Sequence, residues 1–101
     1  MAETEIIRRP KLKPRVERPK LYKVILLNDD FTPRDFVVMV LQGVFRMTEA
    51  EALGVMYAAH QKGACVVAVF TKEVAEMKAE EGTETGRSWG YPLAFTTERE
   101  D

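Results

Sequence analysis

Residues 22–27 alternate little and are rich in β-branched and long apolar side chains, which predicts a strand. Beyond it the rhythm changes. Phe36, Val37, Val40, Leu41 and Val44 recur at helical spacing and make one wide apolar stripe. Thr32 is placed as the N-cap of this helix. Pro33 takes the first helical position, where its missing N–H costs nothing, and Asp35 stands where a capping carboxylate belongs. The helix should stop near Phe45 or Arg46. Thr48 with Glu51 is a second capping-box signature. It opens a helix with Ala52, Leu53, Met56, Tyr57 and His60 on one face and Gly63 as its stop. Residues 64–70 are an unbroken apolar run of seven, read as a buried strand. Thr71 caps a third helix from Lys72 to about Glu81, with Val74 and Met77 inward and Gly82 as breaker. Residues 82–90 should be loop, and Pro92 leads into a short last strand near 93–97. The pattern predicts an α+β two-layer sandwich, a three-stranded antiparallel sheet with three helices in the order β-α-α-β-α-β.

Length and composition narrow the picture. The 101 residues make one domain with a small core, and 46% apolar content excludes a wholly disordered chain. The net charge of −1 gives no nucleic-acid footprint. It is unevenly spread, with +4 in residues 1–20, leaving −5 on the rest. Residues 1–20 also carry Pro10, Pro14 and Pro19, so a flexible basic extension is expected there and a folded core over residues 21–101. That extension serves either as a solubilising terminus or as an arm for a larger partner. No apolar run approaches the roughly 20 residues of a membrane helix, and a cytoplasmic protein is expected. The single Cys65 allows no internal disulfide and no multi-cysteine metal site. It reads as a small buried hydrophobe.

The densest chemistry is Asn28-Asp29-Asp30-Phe31-Thr32-Pro33, where the first strand should end. An amide and two carboxylates stand there beside an apolar layer, and the only histidine, His60, lies on a helix able to face them. Such acceptors suit a ligand with one ammonium group and one apolar group, as at the start of a peptide whose first residue is bulky. The same run is also what a plain Asx-turn looks like, and His60 also fits a hydrogen-bonded boundary position. Met39 and Met56 read as core or groove fillers, and Trp89 as a surface anchor or the cover of a small satellite cluster. Catalysis is disfavoured: no serine, threonine or exposed cysteine stands in a nucleophile setting, and no glycine loop would cradle phosphate. One imidazole and two adjacent carboxylates converge poorly on a metal. Neither metal nor cofactor is expected.

Taken with Tyr22 to Leu27 before it, this run, then Met56-Tyr57-Ala58-Ala59-His60 with Gly63, then Val69-Phe70-Thr71-Lys72-Glu73-Val74-Ala75-Glu76, resembles the ClpS family, adaptors of the Clp ATP-dependent protease. The resemblance covers about residues 21–97. It implies recognition of N-degrons, proteins beginning with Phe, Tyr, Trp or Leu, and their delivery to a Clp ATPase of the ClpA type. By position, Asn28, Asp30 and His60 would take the α-amino group, with Asp29 shaping the same acidic loop. Leu26, Thr32, Pro33, Val37, Met56, Ala59 and Leu93 would line the side-chain pocket. Glu73 and Lys78 match positions the family turns to the ATPase N-terminal domain, with Glu76 on the same exposed face, and the extension matches one used in hand-over.

An α-ammonium donates three hydrogen bonds, and an amide oxygen, a carboxylate and a neutral imidazole nitrogen can accept them. Acid should therefore weaken binding if it converts His60 to imidazolium. Two departures stand out. Arg34 replaces the family's usual methionine at the pocket edge. It is free to swing outward, to stack on an aromatic ligand with a bias toward aromatic over Leu termini, or to reach the second residue of the degron. The glycines of 82–90 shorten a helix that relatives continue. Two other readings compete. A structural or ribosome-associated α+β domain explains the sheet but not the acidic loop facing His60, and a small hydrolase lacks its nucleophile. A monomer is expected, since no long exposed apolar stripe is evident.

Overall fold

The structure, a computed structural model, describes residues 18–101. The extension expected over 1–20 falls almost wholly outside the described residues. Strand β1 (Leu21–Leu27) leads to α1 (Arg34–Phe45) and α2 (Glu49–Lys62), then to β2 (Ala64–Thr71), α3 (Lys72–Ser88) and β3 (Ala94–Arg99). The sheet order is β2-β1-β3, with β1 antiparallel to both neighbours. This is the expected α+β order. β1 is the one strand paired on both edges, and its register runs from Leu21 opposite Thr71 to Leu27 opposite Ala64. A bulge interrupts it: Val24 faces Ala68 while Ile25 faces Val66, so Val67 is the extra residue.

One face of the sheet lies under the helices. Val24 and Leu26 are buried at 0% and 2% exposure, while Lys23 and Ile25 on the alternate face are only half-buried. On α1, Phe36, Val37, Val40, Leu41 and Val44 are buried as their spacing requires. Each fully buried side chain of this kind contributes about 1.5–3 kcal/mol. Arg46 ends the helix in left-handed geometry, φ 57°. Lys78 of α3 donates from Nζ to the Val44 carbonyl oxygen at 3.0 Å, placing a cation on the last turn of α1. The capping box of α2 is present in both directions: Glu51 N–H donates to Thr48 Oγ1 at 3.1 Å, and Thr48 N–H to Glu51 Oε1 at 2.9 Å. Gly63 terminates α2 with φ 91°.

Four expectations are corrected. First, α1 has no side-chain cap. Pro33 sits at the N-cap in extended geometry, and the Thr32 hydroxyl is taken by Asp29 instead. Second, the inward face of α2 is Ala52, Met56 and Ala59, while Leu53 and Tyr57 are exposed. Small side chains let α2 approach its neighbours closely, and the larger ones stay outside. Third, β2 is an edge strand with Val66 and Val69 exposed and Cys65 half-buried, so its apolar run does not signal burial. Fourth, α3 does not stop at Gly82 but continues to Ser88.

The fourth correction has a packing cause. The buried positions of α3 are Ala75, Ala79, Gly82 and Gly86, a stripe of minimal side chains, and Met77 is exposed. A Cβ on Gly82 would lie 2.6 Å from Phe95 Cε1, and one on Gly86 would lie 2.8 Å from Leu93 Cβ. The glycines cost helix propensity, about 1 kcal/mol each, but they bring α3 down onto β3 and the segment before it. Trp89 then rests, largely exposed, 5.9 Å from the ring of Phe36, which also meets Tyr91 edge-on at 4.8 Å.

Candidate functional site

The central strand, the first two helices and the segment before the last strand meet around one hollow of about 270 Å³. Its apolar wall is buried: Leu26 from β1, Val37 from α1, Met56 and Ala59 from α2, and Leu93 just before β3. Its rim is exposed and carries the polar Asn28, Asp30, Arg34 and His60, with Pro33 beside them. The volume lies just under the roughly 300–1,000 Å³ of drug-sized ligand sites, the scale of one residue rather than a peptide. The structure thus brings together all the residues expected at the pocket and all those expected at the amine. Leu27 and Phe31 line it as well and had no assigned role in the sequence. Phe31 is 80% exposed, an aromatic ring held out at the mouth. Its place inside the acidic run was the available signal.

The rim is held by the backbone. Asn28 N–H donates to the carbonyl oxygen of Gly63 at 3.0 Å, so the exit of β1 is joined to the end of α2. That bond sets the acidic loop beside the last turn of α2, which contains His60. The C-terminal end of a helix carries partial negative charge and favours a cation by about 0.3–1 kcal/mol.

The loop itself is organised by Asp29. Its Oδ1 accepts from Phe31 N–H and Thr32 N–H, each at 2.8 Å, and the Thr32 hydroxyl lies 3.0 and 2.9 Å from its two oxygens. Thr32 is buried, and these bonds satisfy it. Asp29 is therefore committed to its own loop and acts as a positioning residue. Asn28, Asp30 and His60 are left as the exposed acceptors of the rim. An amide oxygen, a carboxylate and an imidazole nitrogen above an apolar wall can receive an ammonium group and an apolar group attached to the same carbon.

Arg34 lines the hollow, with its guanidinium carbon 5.6 Å from the centre of the Tyr57 ring. Of the three residues expected to meet a partner, Glu73 and Glu76 are exposed a turn apart on α3. Lys78 lies on another side of the helix, turned to α1 by its bond to Val44. The structure does not gather the three on one face, because positions two apart on a helix point apart. No group of three or more His, Cys, Asp or Glu placed to hold a metal ion occurs among the described residues, and no described helix is long and apolar enough to cross a membrane.

A family model described as ATP-dependent Clp protease adaptor protein ClpS matches residues 17–96. The chain belongs to the ClpS family. It is 62% identical over 93 residues to the ATP-dependent Clp protease adapter protein ClpS 2 of Mesorhizobium japonicum, covering 92% of each chain. To the corresponding ClpS 1 of Rhodopseudomonas palustris it is 66% identical over 91 residues, 90% of this chain and 88% of the relative. Among solved structures it is similar to Agrobacterium tumefaciens ClpS2 bound to L-phenylalaninamide, with TM-score 0.81 and 57% identity, covering 82% of this chain and all of that one. ClpS proteins are adaptors of the protease rather than the protease itself.

Proposed function

We propose that this ClpS-family chain is a non-enzymatic, cytoplasmic and monomeric adaptor. It binds proteins that begin with a free α-amino group on a bulky apolar residue (Phe, Tyr, Trp or Leu) and delivers them to a Clp ATPase for degradation. The observation that carries the reading is the one hollow whose wall is apolar and whose rim offers Asn28, Asp30 and His60. The relative that is 57% identical was solved with L-phenylalaninamide, a ligand combining a free α-amine with a benzyl side chain. In this reading the side chain enters between Leu26, Val37, Met56, Ala59 and Leu93, and the ammonium donates to the three acceptors. Charge-assisted bonds of this kind contribute about 1.5–3 kcal/mol each, and burial of an aromatic side chain adds about 1.5–3 kcal/mol. Delivery is assigned to the exposed Glu73 and Glu76 side of α3, with Lys78 offered to the partner from the adjoining side that faces α1.

Fluorescence anisotropy with a Phe-initiated peptide and its N-acetylated twin tests the proposal. Acetylation removes the charge and leaves at least two rim acceptors unpaired, so affinity should fall about 100-fold or more. Equal binding of the two peptides refutes the reading.

A further inference from the structure

Among the described residues, the pocket lining holds a single Arg or Lys, and that residue is Arg34. It comes from the first turn of α1, and its guanidinium lies over Tyr57 of α2, a ring 48% exposed. The pair therefore bridges the two helices that flank the hollow. Tyr57 directly follows Met56, which is in the pocket wall, and stands three residues before His60, its surface neighbour on the helix. The platform under the guanidinium thus adjoins the place where the α-amine is held, and the residue after the pocketed one must leave the hollow past this rim.

From this arrangement we infer that Arg34 and Tyr57 form a second subsite, for an acidic side chain at position two of the bound peptide. The inference rests on the pocket taking a chain N-terminus. A guanidinium within cation–π reach of a ring, 5.6 Å from its centre, keeps N–H groups for a carboxylate, and the attraction holds that fork near the rim before the ligand arrives. Among the described residues no carboxylate pairs with Arg34. The rim is also polarised: Asp30 faces the ammonium, and Arg34 is the cation available to a negative group. An acidic side chain is drawn to Arg34 and kept from Asp30, whereas a basic one meets the guanidinium. The aromatic partner of Arg34 within the fold is Tyr57.

The test uses three peptides differing only at position two, Phe-Glu, Phe-Ser and Phe-Lys, titrated by fluorescence anisotropy against the full chain and its Arg34→Met and Tyr57→Leu variants. The full chain should bind Phe-Glu about five- to tenfold more tightly than Phe-Lys. The ratio should narrow at 500 mM salt relative to 50 mM, because the pair is exposed to screening. It should fall to about one or invert in Arg34→Met, and shrink in Tyr57→Leu. A ratio indifferent to Arg34→Met, or tighter binding of Phe-Lys by the full chain, overturns the inference. A ratio unchanged in Tyr57→Leu overturns the role of the ring. Equal binding of Phe-Ser and its N-acetylated form instead sinks the pocket reading itself. A free-amine requirement combined with a position-two ratio independent of Arg34 sinks only this inference.

Discussion

Four helical glycines, one substitution and two opposite outcomes give the sharpest test of the packing. In Gly43→Ala and Gly54→Ala the new Cβ meets no atom within 4 Å, so only the helix propensity changes. Each should stabilise the fold by about 0.8–1 kcal/mol, a rise in Tm of roughly 4–8 °C for a domain of this size. Gly86→Ala gains the same propensity but sets a methyl 2.8 Å from Leu93 Cβ. That atom is the root of a side chain, so relief requires movement of backbone. Forcing an extra methyl into a packed site costs about 1–3 kcal/mol. With the propensity gain offset, the net loss is about 0–2 kcal/mol, a Tm lowered by up to roughly 15 °C rather than raised. Gly82→Ala, 2.6 and 2.7 Å from two atoms of the Phe95 ring, should behave alike, because that ring is held 5.2 Å from Phe45. Thermal melts by circular dichroism at 222 nm read all four. A Gly86→Ala protein melting at or above Gly54→Ala would refute the account of α3 as a helix pressed onto β3.

Two further outcomes follow from single bonds. Asp29→Ala removes the acceptor shared by three donors, two of them on buried Thr32, so Phe-peptide affinity should fall about 30–100-fold as the loop loses its order. Asp29→Asn, which keeps one accepting oxygen, should lose markedly less, and anisotropy titration of the two variants decides it. Thr48→Ala abolishes the capping box of α2 and should cost about 1 kcal/mol, measured as a Tm lowered by roughly 4–8 °C with the Phe-peptide affinity kept.

The sequence was most legible where local chemistry decides the outcome. The Thr48–Glu51 box, the Gly63 stop and the stripe of α1 are each written in a few adjacent residues, and the structure has all three. It was least legible where a distant neighbour decides. Gly82 and Gly86 read as breakers because propensity is local, whereas Phe95 and Leu93, which demand their smallness, belong to another element. The same reason shifted the buried stripe of α2: Ala52 and Met56 are inside as expected, Ala59 joins them, and Leu53 and Tyr57 are outside, Tyr57 beside Arg34. The seven-residue apolar run of β2 said strand correctly but burial incorrectly, since an edge position leaves Val66 and Val69 open. At the site, family resemblance supplied the residues, and the hollow contains them. It also gave Asp29 the shaping of the loop and Asp30 the amine, and the bonds of Asp29 within its loop supply the physical reason for its part.

The main-chain link from Asn28 to Gly63 bears on how the mouth can be altered. Because neither partner atom belongs to a side chain, exchanging the amide at position 28 for another group edits what the cradle offers its guest without unfastening the cradle. Evolution and the engineer alike can retune the grip there, by swapping one functional group, while the two walls stay docked. The shape of the mouth is then fixed by main chain, and what varies at position 28 is only the group it presents.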